Sequence, residues 1–199
     1  MSGLETVLRR RRMTRQFSTE PLSRVFLDRL LDLARRAPSA GFSQGVHFVV
    51  LDGAEVSRFW QVTGAGEWFA KVQPGVLDAP VIVLPVAFAQ EYTARYSESD
   101  KHGHGLEHAD NWTVPFWLTD TAMAVQNLLL LVEEAGLGAL YFGIFANADK
   151  LAENLGVPAG AQFVGAIAVG HRAVRDVPSG SPRSRPRRPL AEVLHHQRW

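Results

Sequence analysis

Residues 79–89, APVIVLPVAFA, decide the fold. The run is apolar throughout and strand-length, well short of the roughly 18 residues a membrane span needs. A strand without a polar face must be covered on both faces, so this one predicts a sheet packed between helices. Pro85 lacks an N–H donor and is expected to bend the strand or to place it at an edge. Working outward, residues 47–51 (HFVVL), 139–145 and 162–169 (QFVGAIAV) read as further strands. Helices are predicted over 4–10, with Leu4, Val7 and Leu8 on one face, and from Ser23 to the stop at Pro38. The second carries Phe26, Leu27, Leu30, Leu31, Ala34 and Ala37 at helical spacing. Residues 54–63 form another, with Val56, Phe59 and Trp60 apolar. The strongest helix covers 115–135, with Leu118, Ala122, Val125, Leu128, Leu129 and Val132 on one side. Leu130 and Leu131 widen its stripe nearly all round, which fits a central position or one against a second subunit. Asn147 is a candidate N-cap for 148–155, which Gly156 and Pro158 stop. Residues 90–111, rich in charge, His and Tyr, read as a long loop or lid. Helix first, then strands alternating with helices, makes the class α+β or mixed α/β.

The chain has 199 residues and no cysteine, which excludes disulfides, thiolate metal sites and cysteine nucleophiles. Its length fits one domain over 1–199, with a lid or insertion at about 90–112 and an extended tail from about 170. No secretory h-region precedes the first arginines, so the expected location is the cytoplasm, with no membrane partner. Net charge is +1, but its distribution is uneven. Residues 1–36 hold nine Arg against four acids, and 170–199 hold seven Arg against two. The middle holds fourteen acids against five basic residues. Arginine at both ends favours planar anions such as phosphate or carboxylate. A balanced total argues against a general nucleic-acid binder, and the tail lacks aromatics for base stacking.

Each local motif has two readings. Arg9 to Arg12 with Arg15 is either a solvated basic N-terminus or a convergent anion site. Ala37-Pro38-Ser39-Ala40-Gly41-Phe42-Ser43-Gln44 is either a helix-to-strand turn or exposed backbone open to a flat ligand, with Gln44 able to donate and accept. Gly136-Leu137-Gly138 follows a helix and precedes a strand, the reverse of a dinucleotide fingerprint. Gly143 could admit backbone close to a ring. Arg183 to Arg188 is either a disordered tail or an anion grip. His102, His104 and His108 lack a completing ligand, so no metal site is expected, and no GxSxG elbow is present.

Taken in order, these motifs resemble the nitroreductase family of flavin-dependent oxidoreductases. The carriers are Arg11-Arg12-Met13-Thr14-Arg15-Gln16-Phe17, then Ala37 to Gln44, Asp120 through Gln126-Asn127-Leu128, Gly136-Leu137-Gly138, Gly143-Ile144-Phe145, and Arg187-Arg188-Pro189-Leu190. The resemblance implies an intertwined α+β homodimer with a mixed or antiparallel sheet flanked by helices, and one FMN per subunit at the interface. Arg11, Arg12, Met13 and Arg15 would line the FMN phosphate, joined by Arg185 and Arg187. Pro38, Ser39 and Ala40, from the partner subunit, would lie along the flavin, with Gln44 reaching its polar groups. Phe142, Gly143 and Ile144 would meet the ring, the last two near N5 and O4.

The implied activity moves hydride from NADH or NADPH through flavin N5 to a small electron acceptor, a nitroaromatic or quinone. The flavin carries the chemistry, and no catalytic side chain is singled out. A specialised relative (flavin-cleaving, dehalogenating, ring-oxidising or deazaflavin-using) and a non-enzymatic flavin binder are the alternatives. Three departures bear on the site: Met13 stands for the family's serine, Phe42 for its asparagine and Gly45-Val46 for its Pro-Trp.

Overall fold

The computed structural model describes residues 3–178 and 180–199. The all-apolar run forms β2 (Val81–Phe88), the axis of a five-stranded antiparallel sheet. Along one side β1 (Val46–Asp52) pairs with it over its whole length, from Val46 opposite Ala87 to Asp52 opposite Val81. The other side is shared. β5 (Ala166–Gly170) takes Val81 to Val83, and β4 (Ala161–Phe163) takes Val86 to Phe88. β3 (Gly138–Phe142) closes the far edge against β5, so the order is β1-β2-β5-β3.

Pro85 therefore lies in the interior of the sheet rather than at its edge. Its carbonyl accepts the Val164 N–H at 2.9 Å. A strand residue's N and C=O point the same way, so the missing N–H falls in the gap between β5 and β4. The same gap splits the strand expected over 162–169. Gly165 turns there at φ +118°, and a Cβ on it would come within 2.6 Å of the Tyr141 ring and 2.8 Å of the Phe142 carbonyl.

Alternation on the central strands fills two cores. Val81, Val83, Ile167 and Val169 face α2 (Arg24–Ala34) and α6 (Phe116–Glu134), against Leu27, Leu30, Leu31, Ala34, Val125, Leu128 and Val132. Ile82, Leu84, Ala166 and Ala168 face the other way, onto Val56, Phe59 and Trp60 of α3 (Ala54–Thr63), Phe69 of α4 (Ala65–Val72) and Leu151 of α7 (Ala148–Leu155). The expected α+β sheet between helices is thus observed. α1 (Leu4–Arg10) buries only Val7 and leaves Leu4 and Leu8 exposed.

Four local expectations change. Residues 65–72, unassigned in the sequence, are helical, and Gly64 at φ +67° both ends α3 and begins α4. The supposed loop at 90–111 begins with α5 (Ala89–Tyr96). That helix buries Tyr92 and half-buries Tyr96, one turn apart, and is otherwise polar, so it leaves no apolar period to read. Asn147 does not cap α7 through its side chain, which donates instead to the Val62 carbonyl at 2.9 Å. On α6, Ala122 faces outward, with Met123 and Phe116 also exposed.

Gly165→Ala combines a left-handed backbone with a clash against backbone. It should lower stability by about 2 kcal/mol or more, seen as a lower urea midpoint at unchanged m value.

Candidate functional site

The arginine-rich opening is extended and laced into the sheet. Thr14 N–H donates to the Ala139 carbonyl at 2.8 Å, Ser18 N–H to His171 at 2.9 Å, and Ala173 N–H to Gln16 at 2.9 Å. Residues 13–18 thus lie between the start of β3 and the chain leaving β5. Thr14 and Phe17 point inward and are buried, which turns the intervening residues toward the surface.

Two buried acids take up part of the arginine excess. Glu133, on the last turn of α6, is 3% exposed and binds Arg10 at 2.7 Å and Arg172 at 2.5 Å. Arg172 also donates to the Thr14 hydroxyl at 3.2 Å. Asp176, whose side chain is 1% exposed, pairs with Arg12 at 2.5 Å and accepts the N–H groups of Arg15 and Gln16, each at 3.2 Å. Carboxylates this deep persist only when paired and hydrogen-bonded. Neither acid was singled out in the sequence. The legible signal was Asp176 as one of only two acids among seven tail arginines.

What remains is positive and directed inward. Arg11 Nη1 and Arg12 Nη1 are buried with no hydrogen-bond partner among the described residues. Arg15 stands between two cavities. One, of about 610 Å³, is walled by Phe59, Trp68, Phe69 and the strand end Tyr141 to Phe145. Its floor is rigid: Phe142 stacks on Trp60 at 5.6 Å with planes 13° apart, and Phe69 meets Phe142 edge-on at 5.2 Å. Tyr141 donates to the Val164 carbonyl, and burial pushes its hydroxyl pKa up, so it stays a neutral donor. The second cavity, of about 650 Å³, is polar and includes Gln16, Gln73, Asp78, Arg175 and Asp176.

The residues singled out in the sequence fall into four groups. Arg15, Phe142, Gly143 and Ile144 share the aromatic cavity. Arg11, Arg12 and Met13 lie on the adjoining segment, where Met13 sulfur accepts the Tyr141 N–H at 3.5 Å. Pro38, Ser39, Ala40 and Gln44 do not line that cavity; they form a separate outer loop in which Phe42 is 73% exposed. Arg187 lies beside Glu5, Leu8 and Arg9 rather than Arg15, and Arg185 is exposed. Arg175, unmarked in the sequence, lines the polar cavity with Arg15 instead. Among the described residues, no cluster of His, Asp and Glu could hold a metal ion, and no helix is long and apolar enough to cross a membrane.

A family model matches most of this chain. Residues 8–171 fit the nitroreductase family. The chain belongs to that family. The FMN reductase (NADPH) of Bacillus subtilis is 26% identical over 98% of this chain and 74% of its own length. A protein of Archaeoglobus fulgidus is 24% identical over 95% of this chain and 94% of its own. The fold matches that of NfrA2 from B. megaterium at a TM-score of 0.77, with 20% identity, over all of this chain and 76% of that one.

Two outcomes test the electrostatics. Asp176→Ala strands Arg12 and two backbone N–H groups, so stability should fall by about 3 kcal/mol, measured by chemical denaturation. Asp100 is the second case. A hydrogen bond from Arg95, backed by its positive charge, lowers the Asp100 pKa from 3.8 to about 2. A depressed carboxylate stabilises fully above its unfolded value and loses that contribution as pH falls through its folded one. The Asp100 contribution should therefore be complete above about pH 4 and vanish toward pH 2. An NMR titration of its carboxyl carbon should show a midpoint about 2, moving toward 3.8 in Arg95→Ala.

Proposed function

We propose that this nitroreductase-family chain is an FMN-dependent oxidoreductase that works as a homodimer, taking hydride from NADH or NADPH and passing it to a small acceptor such as a nitroaromatic or quinone. One observation carries the reading: buried guanidinium nitrogens of Arg11 and Arg12, without hydrogen-bond partners among the described residues, lie on a segment whose next arginine lines an aromatic-walled cavity. Buried donors of this kind fit a phosphate, and the cavity fits a flat ring system. FMN bound there would supply hydride transfer between reductant and acceptor.

The chain's own residues supply binding and orientation. Arg11, Arg12 and Arg15 hold the phosphate. Met13 contributes no hydroxyl, and arginine redundancy covers that loss. Phe142, Gly143 and Ile144 lie along the ring, with the Trp60 stack fixing the strand end behind them. The aromatic wall keeps water from the reacting face. Pro38, Ser39, Ala40 and Gln44 come from the partner subunit, which is why a single chain keeps them apart from the cavity. Support for the dimer comes from apolar side chains left bare on three helices: Leu4 and Leu8, Phe26 and Leu33, Phe116 and Met123. Arg175 joins Arg15 at the cavity rim, and Arg185 and Arg187 reach the phosphate if the exposed tail packs across that dimer. Localisation in the cytoplasm fits a soluble reductant.

Arg11→Ala should weaken FMN retention about tenfold or more, followed by flavin fluorescence on dialysis. Arg175→Ala and Arg187→Ala, compared side by side, tell which tail arginine joins it. Anaerobic bleaching of the bound flavin by NADH or NADPH is the activity expected. A flavin that binds but resists both reductants would favour a storage or sensing protein instead.

A further inference from the structure

The loop 38–44 is held in a conformation its own residues disfavour. Gly41, Phe42 and Gln44 all have positive φ, at 61°, 58° and 56°. For Phe and Gln that region is sparsely populated, and it persists only where surroundings over-determine it. Those surroundings are α5 and α6. Asp120, 1% exposed, accepts the Ala40 N–H at 2.8 Å and the Tyr92 hydroxyl at 2.8 Å on the same oxygen. Tyr92 is fully buried, and burial first, with the bond to Asp120, pushes its pKa well above the ordinary tyrosine value. It therefore remains a protonated donor. The Ser39 hydroxyl oxygen accepts the Gln44 N–H at 2.8 Å. Arg95 donates to the Gly41 carbonyl at 2.9 Å, and the Tyr96 ring fills the space where a Cβ on Gly41 would lie, at 2.7 Å.

The consequence is directional. The Ala40 N–H is turned inward onto Asp120 and the Ser39 hydroxyl oxygen is engaged by the Gln44 N–H, while Pro38, Phe42 and Gln44 face out. We propose that Asp120 and Tyr92 are a positioning pair that pre-organises this loop, so that Gln44 and the bare Pro38 edge, rather than the Ser39 hydroxyl or the Ala40 N–H, meet the flavin of the partner subunit. This rests on the flavin reading above. It also recasts α5: the start of the supposed lid is a buttress bonded to the loop.

Full-length D120A, D120N and Y92F test the pair by two independent readouts. Hydrogen exchange of the flavin-free protein should accelerate about tenfold or more at the Ala40 and Gln44 amides in D120A, with the β2 and β5 amides unchanged. Y92F should lie between D120A and wild type. In D120N an amide oxygen can still accept both bonds, and wild-type protection should return. FMN affinity and the visible circular dichroism of the bound flavin should follow the same order. Wild-type exchange at both amides in D120A would overturn the proposal; should D120A not fold, wild-type exchange in Y92F would do so. Failure of the wild-type protein to take up FMN would instead sink the flavin reading, leaving the exchange result to decide the pair.

Discussion

Arg10 from the first helix and Arg172 from the chain leaving the last strand close on one carboxylate, Glu133, at the buried end of α6. The geometry of the candidate site depends on that clasp. It fixes the start of the extended segment 11–17, and Asp176 fixes its middle through Arg12 and two backbone N–H groups. Like charges crowded over Arg9 to Arg12 would otherwise repel. Pairing part of them internally gives the remaining nitrogens a fixed direction. Removing either acid would take the carboxylate from arginines that are themselves only partly exposed, which costs more than the intact pair contributes.

A second constraint is the split partner of β2. Pro85, a residue without an N–H, sits in an interior strand because β5 ends and β4 begins beside it. The Gly165 kink at that junction holds Tyr141 and the Phe142 carbonyl close, and Phe142 stacks on Trp60 from α3. The Gly165 kink thus lies directly against the strand end that floors the aromatic cavity.

Much of this was legible in the residues. The uninterrupted apolar run at 79–89 announced a strand covered on both faces, and the i, i+3, i+4 spacing from Phe26 to Ala37 announced α2. The arginine surplus at both ends announced an anion. Its nature was only half legible: Glu133 and Asp176 answer for three of those arginines, and a lone acid's depth cannot be read from spacing. α5 escaped because one buried Tyr makes no period. The Gly165 split escaped because a single glycine within QFVGAIAV does not tell a bulge from a continuous strand. The loop 38–44 was marked as special, yet which of its groups face outward depends on Asp120 and Tyr92, both far away in sequence.

The claim that the Nη1 nitrogens of Arg11 and Arg12, free among the described residues, await a phosphate is tested most directly by titrating the flavin-free protein with FMN and, separately, with riboflavin, which has the same ring system and no phosphate. Charge-assisted bonds from two arginines predict FMN binding tighter by about a hundredfold or more at low salt. Equal affinities would contradict the account.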